Sequence, residues 1–432
     1  MKIGTISLGC DKNRVDTEKM LARLLGRGHT FVDREDDADV IVVNTCAFID
    51  SAKTESIDEI LSAVEYKKKN GTKIVVTGCL PQRYKDDLYE ALPEVDLFLG
   101  TGDYDMLCDY LDGLTVSENK LYCSLDKYCS KRVLTTPYHY AYLKIADGCD
   151  NHCTYCAIPS IRGKYRSEKI EDLVGEAKSL SDEGVKELIL VAQDVTRYGT
   201  DLYGKKSLTV LLDELSKFDF YRIRLMYLEP EMVDDELIDY VANNEKIAKY
   251  MDVPFQHIDS RLLKLMGRHT DEEYTKNLVN KIKAKDIKIR SSFIVGFPSE
   301  GEKEFEELYD FIRDYEIDYA GFFEYSLEEG TPAEKLGGRV DDDVKAKRCE
   351  SLRELQERII MKAADGYVGK TVNVLYEDID YDNQMFVGRA EFQAPDIDNV
   401  VRFTSETPLS VGEIYSVEIT GRIGMDLLGR VK

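Results

Sequence analysis

Residues 148–156 read GCDNHCTYC and follow directly on the strand-like run AYLKIAD (141–147). Cys149, Cys153 and Cys156 thus form a CxxxCxxC pattern at the mouth of a strand. Thiolate sulfur is the ligand both of structural zinc and of iron–sulfur clusters. A structural zinc site takes four ligands, often as paired knuckles, and three cysteines leave it one short. A 4Fe–4S cluster held by three cysteines instead leaves one iron open to a small molecule.

Outward from this motif the chain alternates strand and helix. Strands are expected at AYLKIADG, KELILVAQD, YRIRLMYLE, YMDVPFQ, IRSSFIVGF and AGFFEYS, with helical patterns near 168–182, 208–217, 231–243, 271–284 and 302–314. Six β/α units in succession predict an open, partial (β/α)6 parallel barrel, two units short of a full eight. Two helices are expected to open with capping boxes, Thr270 to Glu273 and Ser299 to Glu302. Polar residues collect where strands end: Gln193 and Asp194, Glu229, Gln256 and His257. That rim is where barrels of this kind do chemistry.

The first ~120 residues alternate in the same way. KIGTISLGC (2–10), VIVVNTC (40–46) and KIVVTGC (73–79) each run an apolar strand into a cysteine. Helices are expected from about Asp16 to Arg27, Ser51 to Lys69 and Gln82 to Leu92, followed by the strand DLFLG. This is the pattern of a parallel α/β sheet, whose ligands lie at the carboxyl edge of the strands. Cys10, Cys46 and Cys79 all belong to that edge and are expected to converge there. Residues 121–134 lack periodicity and read as a linker with two incidental thiols, Cys123 and Cys129. A charged helix from about Asp341 to Ala364 precedes short strands over 368–432, which predict a small antiparallel β-barrel. The expected domains are therefore 1–120, 135–365 and 366–432.

Composition narrows the partners. The chain has 432 residues, ten cysteines and a formal net charge of -24. Clustered cysteines in a large chain without a signal-like start are better read as ligands than as disulfides, and the expectation is a cytoplasmic protein. No run approaches the ~20 apolar residues of a membrane span. Strong acidity disfavours direct nucleic-acid binding and favours a basic protein partner. Residues 368–432 hold 6 Lys or Arg against 11 Asp or Glu, a balance of -5.

The CxxxCxxC spacing at the first strand of a β/α barrel resembles the radical S-adenosylmethionine (SAM) superfamily. The resemblance implies a 4Fe–4S cluster on Cys149, Cys153 and Cys156 whose open iron binds SAM. One-electron reduction of the sulfonium then yields a 5′-deoxyadenosyl radical, and the protein supplies orientation and exclusion of water. It further implies that Gln193 and Asp194 receive the methionyl amine, that Tyr155 packs on the cofactor and that Gly296 lets the backbone approach adenine. As plain structure, Tyr155 is a core aromatic and Gly296 a strand-end turn.

The whole chain, with its three-cysteine α/β domain, radical barrel and terminal β-barrel, resembles the methylthiotransferases, whose last domain is called TRAM. In that family a second 4Fe–4S cluster sits on the cysteines matching Cys10, Cys46 and Cys79 and carries an exogenous sulfur donor. Within it, SLGCDKNRVD, VAQDVTRYG, VPFQHI, YSLEEGTPA and APDIDNVV are similar to the branch that modifies ribosomal protein S12. That branch implies methylthiolation of the β-carbon of an aspartate, on S12 free or on the ribosome, with a second SAM giving the methyl group and a separate electron-donor protein. The alternative within the family is a tRNA methylthiotransferase acting on N6-isopentenyladenosine. A non-catalytic iron–sulfur protein is the alternative outside it. His257, which replaces a serine typical of the tRNA branch, is read as a packed rim histidine.

Overall fold

The computed structural model describes residues 1–113 and 132–432. Most of the expected linker, with Cys123 and Cys129, lies outside the described residues. The amino-terminal elements are β1 (Lys2–Ser7), α1 (Asp11–Gly26), β2 (Thr30–Phe31), β3 (Val40–Thr45), α2 (Asp50–Asn70), β4 (Lys73–Gly78), α3 (Cys79–Ala91), β5 (Leu97–Phe98) and α4 (Tyr104–Leu111). The five strands pair in parallel in the order β2-β1-β3-β4-β5. Helices cover both faces: Ile41, Val43 and Ile74 face α2 and α3, while Ile3, Val42 and Val75 face α1 and α4. A strand buried on both faces must be apolar throughout, which is why VIVVNT carries no alternation.

The central elements are β6 (Tyr140–Lys144), β7 (Ala146–Asp147), α5 (Ile158–Arg162), β8 (Arg166–Ser167), α6 (Ile170–Asp182), β9 (Glu187–Val191), α7 (Thr200–Tyr203), α8 (Leu208–Leu215), β10 (Arg222–Leu225), α9 (Asp235–Asn243), β11 (Ile247–Asp252), α10 (Ser260–Leu265), α11 (Glu272–Lys283), β12 (Lys288–Val295), α12 (Glu302–Tyr315) and β13 (Tyr319–Glu324). Six strands form the expected open sheet, all parallel, in the order β13-β12-β11-β10-β9-β6. Alternation of side chains decides what covers each face. Ala141, Leu143, Leu188 and Leu190 point at the helices. Tyr140, Tyr142, Ile189 and Val191 point inward, where Val15 of α1 and Ala394 of the last domain join them. Both flanking domains are thus packed into the barrel interior.

After α13 (Asp342–Asp365), strands β14 (Thr371–Asp380), β15 (Met385–Ala390), β16 (Val401–Thr404), β17 (Ile414–Ile423) and β18 (Asp426–Val431) close a five-stranded barrel. It is not wholly antiparallel as expected, because β16 and β18 pair in parallel. Buried charge fixes it to the amino-terminal end of the central strands. Glu187 takes Arg389 and Arg224 at 2.7 Å each, and Arg389 also takes Glu377. Asp398 takes Arg290 and the Tyr250 hydroxyl, both at 2.8 Å.

Several boundaries differ from the sequence reading. Helix α1 starts at Asp11 and α3 at Cys79, five and three residues early, so Cys10 stands at the N-cap of one helix and Cys79 opens another. Neither expected capping box forms. Asp271, not Thr270, caps α11 by accepting the Tyr274 N–H at 2.8 Å, a carboxylate being the stronger acceptor. Ser299 lies in the left-handed region at φ 72 and gives its N–H to Gly338 O, so α12 begins at Glu302 with Gly301 at its N-cap. Among the described residues no helix is long and apolar enough to cross a membrane.

Candidate functional site

The first cysteine trio is assembled by strand register. Ser7, Asn44 and Thr77 lie in one row across β1, β3 and β4. Cys10, Cys46 and Cys79 follow that row by two or three residues, on strands about 4.8 Å apart. Two glycines make the approach possible. At Gly9 (φ 88) a β-carbon would stand 2.7 Å from the Cys46 β-carbon, and at Gly78 (φ 99) 2.3 Å from Asn44 Oδ1. Asn13 ties the loops together, donating from Nδ2 to Leu8 O at 2.8 Å and Thr45 O at 3.0 Å. Cys10 is exposed, whereas Cys46 and Cys79 are buried. Burial pushes the Cys79 thiol up to about 12 despite the nearby Arg162 charge, and raises Cys46 as well.

The second trio comes from one loop between β7 and α5. Gly148 (φ 77) begins it where a β-carbon would meet Lys164 O at 2.1 Å, and Cys149 N–H closes on Gly163 O. Thr154 docks the loop on α10, giving its N–H to Met266 O at 2.9 Å and its hydroxyl to Leu265 O at 2.7 Å. Each sulfur accepts a hydrogen bond: Asn151 N–H on Cys149, Ile158 N–H on Cys156 and Arg268 Nη1 on Cys153, at 3.4–3.5 Å. Donors aimed at sulfur stabilise thiolate and tune iron–sulfur clusters. Burial pushes Cys149 up to about 11 and Cys156 to about 12, so iron binding has to displace protons.

One side chain joins the two trios. Arg162, at the end of α5, is buried and reaches into the first domain, its Nη2 3.5 Å from Cys79 Sγ and 2.8 Å from Asn13 Oδ1. Its Nη1 binds Asp16 at 2.6 Å and Asp147 at 3.3 Å, two carboxylates that Lys144 also engages. Beside this bridge a cleft of about 490 Å³ opens, lined by Arg83 and Tyr84 of α3, Cys153 and Cys156, and Glu329 and Thr331 of the loop after β13. Arg83 fastens that loop to the one carrying Cys46, donating to Glu328 Oε2 and Ala47 O at 2.9 Å and to Glu329 O at 2.8 Å.

Comparison with known proteins sets these features in a family. Residues 2–100 match the model of the Uncharacterized protein family UPF0004, 143–312 that of the Radical SAM superfamily and 368–431 that of the TRAM domain. The ribosomal protein uS12 methylthiotransferase RimO of Acetivibrio thermocellus is 46% identical, covering 100% of this chain and 98% of that one. Its counterpart from Caldicellulosiruptor saccharolyticus is 44% identical, covering 100% of both. The chain belongs to the ribosomal protein uS12 methylthiotransferase family. The radical SAM methyltransferase TsrM from Kitasatospora setae shares the fold, with a TM-score of 0.60 at 15% identity over 77% of this chain and 76% of that one.

A radical SAM methylthiotransferase carries a 4Fe–4S cluster and SAM, and the residues named from sequence fit them unequally. Gln193 donates to Asp147 at 3.2 Å, and its Oε1 is buried without a partner, an acceptor ready for an ammonium group. Asp194 is already engaged on both oxygens, by Thr196 and Arg197 N–H on one and by Arg197 and Asn151 on the other. It shapes the loop from within. Tyr155 packs against Leu262, Met266, Phe297 and Tyr325. Gly296 has φ 75 and gives its N–H to Glu300, and what stands closest to it is the Lys345 side chain. His257 is fully buried, its Nε2 3.6 Å from Glu300, a packed rim histidine as read. Sequence reading missed Arg162 and Arg268. Arg268 pairs with Glu229, whose carboxyl burial pushes up to about 7, and only a fold shows either arginine beside a sulfur.

Proposed function

We propose that this protein adds a methylthio group to the β-carbon of an aspartate in ribosomal protein uS12. On this reading Cys149, Cys153 and Cys156 hold one 4Fe–4S cluster, and Cys10, Cys46 and Cys79 hold a second that carries the sulfur donor. Bound there, the first cluster and SAM supply the radical that takes hydrogen from an unactivated carbon. The contact that carries the proposal is Arg162, one buried guanidinium whose helix follows the second trio and whose tip meets Cys79 of the first. Two sites linked by a single side chain can work on one substrate group in turn.

The chain's own residues have distinct parts. Gln193 Oε1 accepts from the methionyl ammonium, Asp194 and Asn151 hold the loop, and Tyr155 and Gly296 border the cofactor. Arg83 and Glu328 hold the two domains around the cleft through which the acceptor enters. The division into 1–120, 135–365 and 366–432, joined by the linker 121–134, follows the same reading. So do a cytoplasmic location, a separate electron donor and uS12 taken free or on the ribosome. Mass spectrometry of purified uS12 and of tRNA, each incubated with the reconstituted enzyme, SAM, sulfide and a reductant, tests it. A methylthio mass gain on uS12 is expected, and a gain on tRNA alone overturns the substrate.

A further inference from the structure

Lys12 lies in the first turn of α1, two residues past Cys10, and is only 6% exposed. Its ammonium sits 3.3 Å from the centroid of the Tyr227 ring. That ring is its partner among the described residues, where no carboxylate stands within ion-pairing distance of it. The neighbouring acids already have donors. Asp11 accepts the Tyr227 hydroxyl at 3.1 Å, Asp252 accepts the Tyr227 N–H at 3.0 Å, and Asp16 is held by Lys144 and Arg162. The buried ammonium has given up much of its hydration for one ring contact and the more distant charge of Asp252, with no carboxylate of the described residues in direct contact. An arriving anion would complete it.

The surroundings hold it there. Tyr227 has φ 60, a conformation costly for an aromatic residue, and is fixed by Asp252 and by Val195 N–H on its carbonyl. Two residues on, Glu229 meets Arg268 at 2.9 Å and Asn151 at 3.4 Å, the groups that surround the second trio. Lys12 is thus two residues along α1 from Cys10, and Tyr227 two residues from a carboxylate that meets Asn151 of the CxxxCxxC loop.

We propose that Lys12 is a specificity-determining residue that binds the carboxylate of the acceptor side chain and thereby selects aspartate. This rests on the aspartate acceptor of the proposed function. An ammonium–carboxylate contact in a poorly hydrated site is strong, and it places the β-carbon one bond from the point held.

The test is equilibrium binding of fluorescent peptides to the reconstituted full chain by anisotropy. One peptide spans the acceptor aspartate of uS12 and the other carries asparagine there. Wild type should bind the aspartate peptide about tenfold or more tightly than the asparagine one, as expected of a close charge pair. Lys12→Met should remove that preference while keeping wild-type affinity for the asparagine peptide, and Lys12→Arg should retain part of it. Preference surviving in Lys12→Met overturns the proposal and would leave Lys12 balancing the charge of the first trio. Loss of both peptides in Lys12→Met also overturns it, marking a structural residue. Wild type that binds neither peptide contradicts the aspartate acceptor itself, and the proposal falls with it.

Discussion

The amino-terminal trio is gathered from three strands and 70 residues of chain, whereas Cys149, Cys153 and Cys156 come from a single loop. The first depends on sheet register and on glycines that let loops touch. The second depends on a short turn docked on α10, with a hydrogen bond arranged for each sulfur. One is buried in two of its three thiols and open at Cys10, and the other is half-buried throughout. Site construction of these two kinds suits the two duties proposed above: a self-contained loop for generating the radical, and a fold-dependent site for holding the sulfur donor.

The largest break in this comparison should come from the cysteines themselves. Cys153→Ala should end SAM cleavage and product formation together. Cys46→Ala should leave 5′-deoxyadenosine formation close to wild type while ending methylthio transfer, read by chromatography and product mass. If both variants lose both activities, the duties are not separate.

Glycine substitutions sharpen the same contrast without touching a thiol. Gly9→Ala places a β-carbon against Cys46 and should lower iron at the first trio, leaving SAM cleavage in place. Gly148→Ala collides with Lys164 O and should lower iron at the second, with cleavage lost. Iron content and cleavage assays on each would show the effects to be independent, and equal losses in both variants would contradict it.

The bridge between the trios comes next. Arg162→Met leaves Asp16 and Asp147 short of a buried partner and should cost roughly 3–5 kcal/mol of stability in urea unfolding. A cost below about 1 kcal/mol would mean the bridge is not a structural link. The smallest effect expected is acid sensitivity. Burial pushes the Asp147 carboxyl up, but Lys144 and Arg162 overcome this and hold it below the ordinary carboxylate range. A folded-state value below the unfolded one makes its contribution full above pH ~4 and lost as pH falls further. Asp147→Asn should therefore flatten the stability profile below pH ~4, relative to wild type.

Much of this was readable in the sequence because apolar runs and their periods are local. VIVVNT and KIVVTG announce buried parallel strands, and a cysteine at the end of each announces the carboxyl edge. Long-range polar contacts leave no such trace. Nothing in IPSIRG says that Arg162 crosses into another domain, and nothing in GRH says that Arg268 meets a sulfur. The acidic count of the last domain was informative but incomplete. Glu377 and Asp398 turn inward to His139, Arg389 and Arg290, so the free face is less acidic than the sequence total. APDIDNVV, one of the stretches similar to the uS12 branch, seats that domain on the barrel through Ala394 and Asp398.

The central claim is that two separate clusters occupy the two trios. Iron and sulfide quantitation after anaerobic reconstitution, on wild type and on a variant with Cys10, Cys46 and Cys79 all changed to alanine, tests it most directly. The account predicts about eight irons in wild type and about four in the variant, each cubane holding four. About four irons in both proteins would contradict it.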